Sequence, residues 1–503
     1  MPVRVCVAIR EASNALAVEA VARAMEWADL VEIRADYIPD LDLQRLFYKK
    51  RGPVLFTLRS SQEGGEFAGA ERDRLETIVE AARLGADYID VEFSAFWQAV
   101  LDRVPKERVI LSYHNFDETP GALEPLLDSM AGTGAGIVKI ATRARSLADN
   151  RKIARLLASA ATRNIRLCAL AMGREGIPGR VLGPLWGSWM TFASMPGSPG
   201  TADGQIPADE LIRRYRIREI GASTRLYGVL GKPLGHTLSP QLHNAAFAAR
   251  NMDAIYLPLE GTGLDDFLEF HSSFPVSGLS VTIPYKEEAH ERVGSLAAEA
   301  KETGAVNTLV LKESGWHGEN TDVDGFLRPL RRRLRVGRTR AVVLGAGGAA
   351  RAVVCALRSQ GASVCVVARN LQKARLLAEK FQLECQGWDQ LGRLRWDLLV
   401  NTTPLGMYPE VNQTPVPAEW LTGQWVYDLV YNPRQTRLLK DAAERGCNTI
   451  SGAEMFLGQA VKQQQLWCGT PPPDGVMEEA LEEAFTSRAG SQSPKESTMG
   501  DLR

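Results

Sequence analysis

Ala341-Val342-Val343-Leu344-Gly345-Ala346-Gly347-Gly348-Ala349-Ala350-Arg351 reads as a buried strand, a tight turn and the first turn of a helix. The helix-friendly run Ala352-Val353-Val354-Cys355-Ala356-Leu357 carries it on. In the spacing Gly-x-Gly-x-x-Ala, the first glycine permits the turn. The second lets backbone approach a pyrophosphate held at the helix N-terminus. A lone motif of this kind is weak, but here a second apolar run, Ser363–Val367, follows at βαβ distance. That run ends in Ala368-Arg369-Asn370, with Lys373 close behind. An acidic residue at this strand end would suit a free ribose 2′-hydroxyl, whereas a guanidinium suits a 2′-phosphate. The stretch therefore predicts a dinucleotide fold that prefers NADP.

Working outward, the chain of 503 residues is too long for one hydrophobic core. Its formal net charge of −1 offers no basic face for nucleic acid. Seven cysteines without a C-x-x-C pair suggest free thiols in a reducing compartment. The six histidines form no cluster, so no metal is expected. No apolar run approaches the roughly 20 residues of a membrane span. The first strand-like segment is too short for a signal peptide and runs straight into Arg10-Glu11. A soluble, cytoplasmic protein is the expectation, with oligomeric state left open.

Short β-rich runs recur through the first half at Val3–Ile9, Leu30–Ala35, Val54–Leu58, Tyr88–Phe93, Arg108–Tyr113, Ile137–Ala141, Ile165–Ala171 and Trp189–Ala193. Helical stretches such as Ala17–Trp27, Glu71–Leu84 and Leu147–Ala161 lie between them. Eight alternations in about 215 residues predict a (β/α)8 barrel, whose chemistry sits at the C-terminal strand ends. Polar residues collect there: Glu32, Arg34, Arg59, Glu63, His114, Lys139, Arg180 and Gln205. An ammonium inside the Val/Ile strand around Lys139 is costly unless paired or functional. Burial and the cations Arg34 and Arg59 are expected to lower its pKa and free the amine to attack a ketone, although pairing with Glu32 would also explain it. His114 near such a lysine, oriented by Glu63, suits general acid–base work.

These segments resemble type I 3-dehydroquinate dehydratase over about residues 1–215: Glu32-Ile33-Arg34-Ala35-Asp36, Thr57-Leu58-Arg59 with Glu63-Gly64-Gly65, Ser112-Tyr113-His114-Asn115-Phe116, Val138-Lys139-Ile140-Ala141, Gly179-Arg180 and Gly204-Gln205. The resemblance implies an imine between Lys139 and the ketone of 3-dehydroquinate. It gives His114 the C2 proton and the departing C1 hydroxyl, and Glu63 the positioning of His114. Arg180 and Gln205 would hold the substrate, with Glu32, Arg34 and Arg59 lining a polar floor. Thr201-Ala202-Asp203-Gly204-Gln205 stands where the family often has Ser-Ala-Pro-Gly-Gln, leaving Thr201 to supply the hydroxyl.

After a polar junction near residue 220, Leu226–Leu230 begins a new strand. Beyond it lie Gly231-Lys232-Pro233-Leu234-Gly235-His236-Thr237-Leu238-Ser239-Pro240, Gly278–Lys286, Gly304–Thr308 and Gly318–Asp322. Each sets small polar side chains and an ionisable group at a strand or loop edge, which suits a polyhydroxylated substrate. Together with Asn401–Met407, Tyr427–Tyr431 and Gly452–Ala460 they resemble shikimate dehydrogenase over about residues 225–470. The resemblance makes Lys286 and Asp322 the catalytic pair. It assigns substrate contacts to Thr237, Ser239, Thr282, Asn307, Tyr431 and Gln459. Cofactor contacts fall to Gly345, Gly347, Gly348, Ala349, Arg369, Asn370, Lys373, Thr402 and Met455. Thr237 and Ser280 replace the commoner Ser and Asn, which bears on the choice between shikimate and quinate.

The sequence thus predicts an α/β chain: a (β/α)8 TIM-type barrel at 1–220, a substrate lobe at 225–326, a Rossmann NADP-binding lobe at 327–486 and a disordered tail at 487–503. Its implied work is dehydration of 3-dehydroquinate followed by NADPH-dependent reduction of 3-dehydroshikimate. The rival readings are a catabolic quinate/shikimate dehydrogenase and a catalytically inactive ligand sensor.

Overall fold

A computed structural model of the chain describes residues 3–93, 96–235 and 237–491. The chain folds as two compact units: residues 1–226 with 232–234 and 253–275, and residues 227–231 with 235–252 and 276–503. This division differs from a cut at residue 220, because the stretches 232–234 and 253–275, with the helix Leu264–His271, group with the first unit.

The first unit is built on β1 (Val5–Ile9), β2 (Leu30–Arg34), β3 (Val54–Thr57), β4 (Tyr88–Glu92), β5 (Val109–His114), β6 (Ile137–Arg143), β7 (Leu167–Met172) and β8 (Thr191–Ser194), with the short β9 (Ile206–Pro207) beside β8. The sheet order is β7-β6-β5-β4-β3-β2-β1-β8-β9, and every strand pair is parallel. The ends of the series meet where Trp189 N–H donates to Leu167 C=O at 2.8 Å, which curls the sheet into a barrel. The strands read as apolar runs because both faces are covered. The helix Glu71–Leu84 falls on its predicted bounds, with acids in its first turn and Arg83 in its last. Period-two alternation then layers the interior. Cys6, Leu30, Leu55, Ile110, Ile137 and Cys168 form an apolar plug, and the next inward residues are Glu32, Asp90, Ser112 and Lys139. β6 runs two residues beyond the predicted Ile137–Ala141, so Lys139 is a mid-strand residue, in register with Ser112.

The strand β10 (Arg225–Gly231) passes from the first unit into the second after Leu226, and β11 (Ala254–Glu260) groups with the first. In the second unit, a mixed sheet contains β12 (Val276–Val281), β14 (Thr308–Lys312), β15 (Gly315–Glu319) and β13 (Ser295–Leu296), in that order. A second sheet contains β16 (Arg340–Leu344), β17 (Ser363–Ala368), β18 (Glu384–Gly387), β19 (Leu398–Asn401), β20 (Trp425–Asp428) and β21 (Asn448–Ser451). Its order, β18-β17-β16-β19-β20-β21, is the doubly wound 3-2-1-4-5-6 pattern, and its strands are parallel. The crevice between β16 and β19, where the order reverses, is where such sheets bind ligands. Helices Asp322–Arg331 and Gly452–Cys468 cross at Gly325 and Gly458. A Cβ on Gly458 would lie 3.0 Å from the Gly325 Cα, so this approach needs glycine on both sides.

The helix Val476–Ser491 continues five residues past 486, into the stretch expected to be disordered; extending a formed helix costs far less than starting one. The rest of the expected tail, residues 492–503, lies outside the described residues, as does His236. Among the described residues no helix is long and apolar enough to cross a membrane.

Candidate active sites

The barrel brings its predicted residues to one pocket. Glu32, Arg34, Arg59, Glu63 and His114 line it with Lys139, Arg180, Thr201 and Gln205. Apolar walls come from Phe116, Leu170, Met172 and Phe192, none of which the sequence reading named as lining.

Lys139 is 6 % exposed, and its Nζ stands 3.2 Å from Asp90 Oδ2, 3.6 Å from Glu32 Oε1 and 4.4 Å from the Phe192 ring centre. Burial pushes the ammonium down, but the Asp90 and Glu32 carboxylates outweigh it, so the lysine is held above its ordinary value. The expected lowering is therefore corrected: the cation Arg59 is present, but the two acids overrule it. Arg59 is itself tied down, with Nη2 donating to Asp90 Oδ1 at 2.8 Å and Nη1 to Ser112 Oγ at 2.9 Å. Glu92 approaches Arg59 at 3.4 Å and also pairs with Arg74. Arg34 makes a two-pronged contact with Asp36 at 2.9 and 2.7 Å.

His114 Nδ1 lies 3.0 Å from Glu63 Oε2. Burial, then Arg59 and Lys139, press the imidazole well below its usual range, so the ring is neutral. Burial pushes the Glu63 carboxyl up to about 7 against the pull of Arg59. The contact is thus a hydrogen bond sharing one proton, not an ion pair.

Arg180 is 1 % exposed, and burial lowers it to about 10. Its Nη2 donates to Asp203 C=O at 2.9 Å, while its buried Nε has no hydrogen-bond partner. The guanidinium lines the pocket, and its planar fork suits a carboxylate. Thr201 donates from both its backbone N–H, at 2.7 Å, and its hydroxyl, at 3.2 Å, to Gln205 Oε1, which leaves the Gln205 amide N–H groups for a ligand.

In the second unit, Lys286 Nζ meets Asp322 Oδ2 at 2.6 Å, and Asn307 Nδ2 donates to Asp322 Oδ1 at 2.8 Å. Ser239 N–H and the Thr237 hydroxyl close a small turn opening the helix Ser239–Ala249. Thr282 N–H donates to Leu230 C=O, Gln459 Nε2 donates to Phe456 C=O, and Tyr431 stacks on Phe456 with ring centres 4.7 Å apart.

The glycine turn ends β16 with Gly345 at φ +109°, and a Cβ there would lie 2.6 Å from Thr402 Oγ1. Thr402 holds the turn by donating its N–H and hydroxyl to Leu344 C=O. A Cβ on Gly347 or Gly348 would meet nothing within 4 Å, so the N-terminus of the helix Gly348–Ser359, which begins with Gly348 and Ala349, is open to a phosphate. Arg369 and Lys373 are exposed past β17. Asn370 Oδ1 accepts from Lys373 N–H at 3.0 Å and caps the helix Leu371–Phe381, which uses its oxygen and not its amide N–H groups. Met455 packs on the core of this sheet.

The family model for type I 3-dehydroquinase matches residues 5–222, and that for the shikimate dehydrogenase substrate binding domain matches 229–309. Models for shikimate / quinate 5-dehydrogenase and the shikimate 5′-dehydrogenase C-terminal domain match 331–397 and 452–482. A chloroplastic bifunctional 3-dehydroquinate dehydratase/shikimate dehydrogenase of Arabidopsis thaliana is 37 % identical over 89 % of this chain and 78 % of its own length. The chain belongs to the bifunctional 3-dehydroquinate dehydratase/shikimate dehydrogenase family. An NADP(+) shikimate dehydrogenase of Carboxydothermus hydrogenoformans is 42 % identical over 52 % of this chain and 98 % of its own. A solved shikimate dehydrogenase in complex with NADP+ is 32 % identical, with a TM-score of 0.50, and covers 53 % of this chain and 97 % of that one.

The barrel pairs its buried cations with acids that the sequence reading passed over, chiefly Asp90 and Glu92. Their signal was present, since Tyr88-Ile89-Asp90-Val91-Glu92 places two acids two apart on the inward face of an apolar strand.

Proposed function

We propose that the barrel dehydrates 3-dehydroquinate to 3-dehydroshikimate and that the second unit reduces 3-dehydroshikimate to shikimate with NADPH. The observation that carries this reading is the convergence of Lys139, the His114–Glu63 pair and the under-partnered Arg180 on one pocket.

Lys139 starts as an ammonium and gives up a proton before its lone pair attacks the ketone carbon; water leaves as the imine forms. His114, neutral and backed by Glu63, takes the C2 proton and returns a proton to the departing C1 hydroxyl. Hydrolysis of the imine frees the product and restores the lysine. Arg180 holds the substrate carboxylate, and Gln205 orients a hydroxyl.

In the reductase, Gly345, Gly347, Gly348 and Ala349 would seat the pyrophosphate, with Arg369, Asn370 and Lys373 at the 2′-phosphate and Thr402 and Met455 along the crevice. Bound NADPH supplies the hydride. Lys286 and Asp322 handle the proton at the carbonyl oxygen, and Thr237, Ser239, Thr282, Asn307, Tyr431 and Gln459 orient the ring. We divide the chain accordingly into a barrel at 1–220, a substrate lobe at 225–326 and an NADP-binding lobe at 327–486, and the three family models start close to these three starts. A reducing, cytoplasmic setting belongs to the same proposal and rests on seven free thiols.

Borohydride trapping with 3-dehydroquinate, followed by peptide mass analysis, tests the first half. Ligand mass on the Lys139 peptide, lost in Lys139→Ala, is expected. Dehydration without an adduct would remove the imine route, and neither adduct nor dehydration would favour the sensing role. NADPH oxidation with 3-dehydroshikimate tests the second half. Comparing shikimate with quinate in reverse separates biosynthesis from the catabolic alternative.

A further inference from the structure

His243 is fully buried on the helix Ser239–Ala249, and no step proposed above uses it. Its two nitrogens meet two glutamines of the helix Gly452–Cys468. Gln464 Nε2 lies 3.0 Å from His243 Nδ1, and Gln463 Oε1 lies 3.2 Å from His243 Nε2. The Gln464 carbonyl side is turned to Cys468, whose thiol lies 3.5 Å from Oε1. An amide NH2 only donates, so Nδ1 accepts and the ring proton sits on Nε2, which donates to Gln463. Burial depresses the imidazole to about 3, against the pull of the Gln463 contact, so the ring is neutral.

From there each partner fixes the next. Gln463 Oε1 accepts from His243 and from Ser280 Oγ at 3.0 Å, which turns its Nε2 toward Thr308 Oγ1 at 2.9 Å. With that lone pair taken, the Thr308 hydroxyl donates to Asn307 Oδ1 at 2.8 Å, where Thr321 N–H also donates at 2.8 Å. The Asn307 Nδ2 then faces Asp322 Oδ1, whose other oxygen receives Lys286. His243, Gln463, Thr308 and Asn307 are at most 3 % exposed and Ser280 is 6 %, so water competes little for these bonds.

We infer that His243 is a positioning residue for the reductase: its Nε2–H tautomer sets the direction of the hydrogen-bond chain Gln463–Thr308–Asn307, which presents an amide N–H to the carboxylate that holds Lys286. This inference rests on the reading of Lys286 and Asp322 as the proton-handling pair.

The test compares steady-state reduction of 3-dehydroshikimate by the full chain carrying His243→Gln, His243→Asn and His243→Leu. A glutamine amide reaches the Nε2 position and still donates to Gln463, whereas an asparagine amide reaches only the Nδ1 position. The Gln variant is expected to keep kcat within about twofold of wild type. The Asn and Leu variants are expected to lose about tenfold in kcat, as for one lost hydrogen bond, with the KM for NADPH unchanged. Dehydration by the same molecule serves as an internal control. Equal loss in the Gln and Asn variants, or wild-type kcat in the Asn variant, would overturn the inference. A wild-type chain that dehydrates 3-dehydroquinate but reduces nothing would overturn the reading of the pair, and this inference with it.

Discussion

Lys139 on β6 and Asp90 on β4 meet over the intervening β5, with Nζ 3.2 Å from Oδ2. The acid stabilises the ammonium, and it also anchors Arg59 and Ser112 through its other oxygen. Removing its charge in Asp90→Asn lowers the lysine pKa, so imine trapping on Lys139 should extend to lower pH than in wild type. The same change leaves a buried guanidinium short of its partner and should destabilise the chain by about 3 kcal/mol. Trapping yield against pH and thermal unfolding measure the two effects. An unchanged trapping profile would show that Glu32 alone sets the lysine.

The Glu63–His114 pair gives the dehydratase a pH dependence with a definite sign. Below about 7 the Glu63 carboxyl is protonated and donates to Nδ1, which forces the proton onto Nε2 and removes the base. Above about 7 the carboxylate accepts from Nδ1–H, and Nε2 offers a lone pair. For dehydration, kcat/KM should therefore climb through about pH 7. Glu63→Gln should abolish that limb and cost about 100-fold in rate. A limb that survives in the variant would assign it to another group.

Arg180 separates binding from stability. Its buried Nε lacks a partner and burial lowers the guanidinium to about 10, so the folded chain bears a desolvation cost for keeping this charge at the pocket. Arg180→Met should raise the KM for 3-dehydroquinate about 10- to 100-fold, as expected for loss of a charge-assisted contact. Its melting temperature should be equal or higher. A large drop in melting temperature would mean that the arginine supports the fold.

Two glycines of one turn should fail in different ways. Gly345→Ala meets Thr402 Oγ1 and a left-handed backbone, and should cost about 1–3 kcal/mol of stability. Gly347→Ala has open space for its methyl and should leave unfolding unchanged while raising the KM for NADPH. Thermal unfolding beside NADPH titration checks both, and equal melting losses would refute the distinction.

Much of this was legible because buried parallel strands announce themselves as apolar runs, against which Lys139 stands out. What sequence could not give was the sign of its shift. That depends on Asp90 and Glu32, which are 49 and 107 residues away and meet the lysine only when the barrel closes. Asp90 lies in the middle of β4, away from the strand ends, whereas Glu92 stands at the strand's C-terminal end, where polar residues were expected. The capping role of Asn370 was not singled out, although an Asn just before a helical run is a common N-cap, and it holds the Lys373 N–H. His243, Gln463 and Gln464 belong to no phosphate or acid–base pattern, so only their juxtaposition identifies them.

The crossing of the helices Asp322–Arg331 and Gly452–Cys468 at bare backbone has a mechanical consequence. Gly325 follows Asp322 by three residues, and Gly458 directly precedes Gln459, so the tightest point of the crossing lies within one turn of both side chains. Backbone packed on backbone has no side chain to yield. The junction acts as a rigid rivet, and the acid and the amide must shift together or not at all. The spacing between Asp322 and Gln459 is thereby set by backbone rather than by side-chain packing.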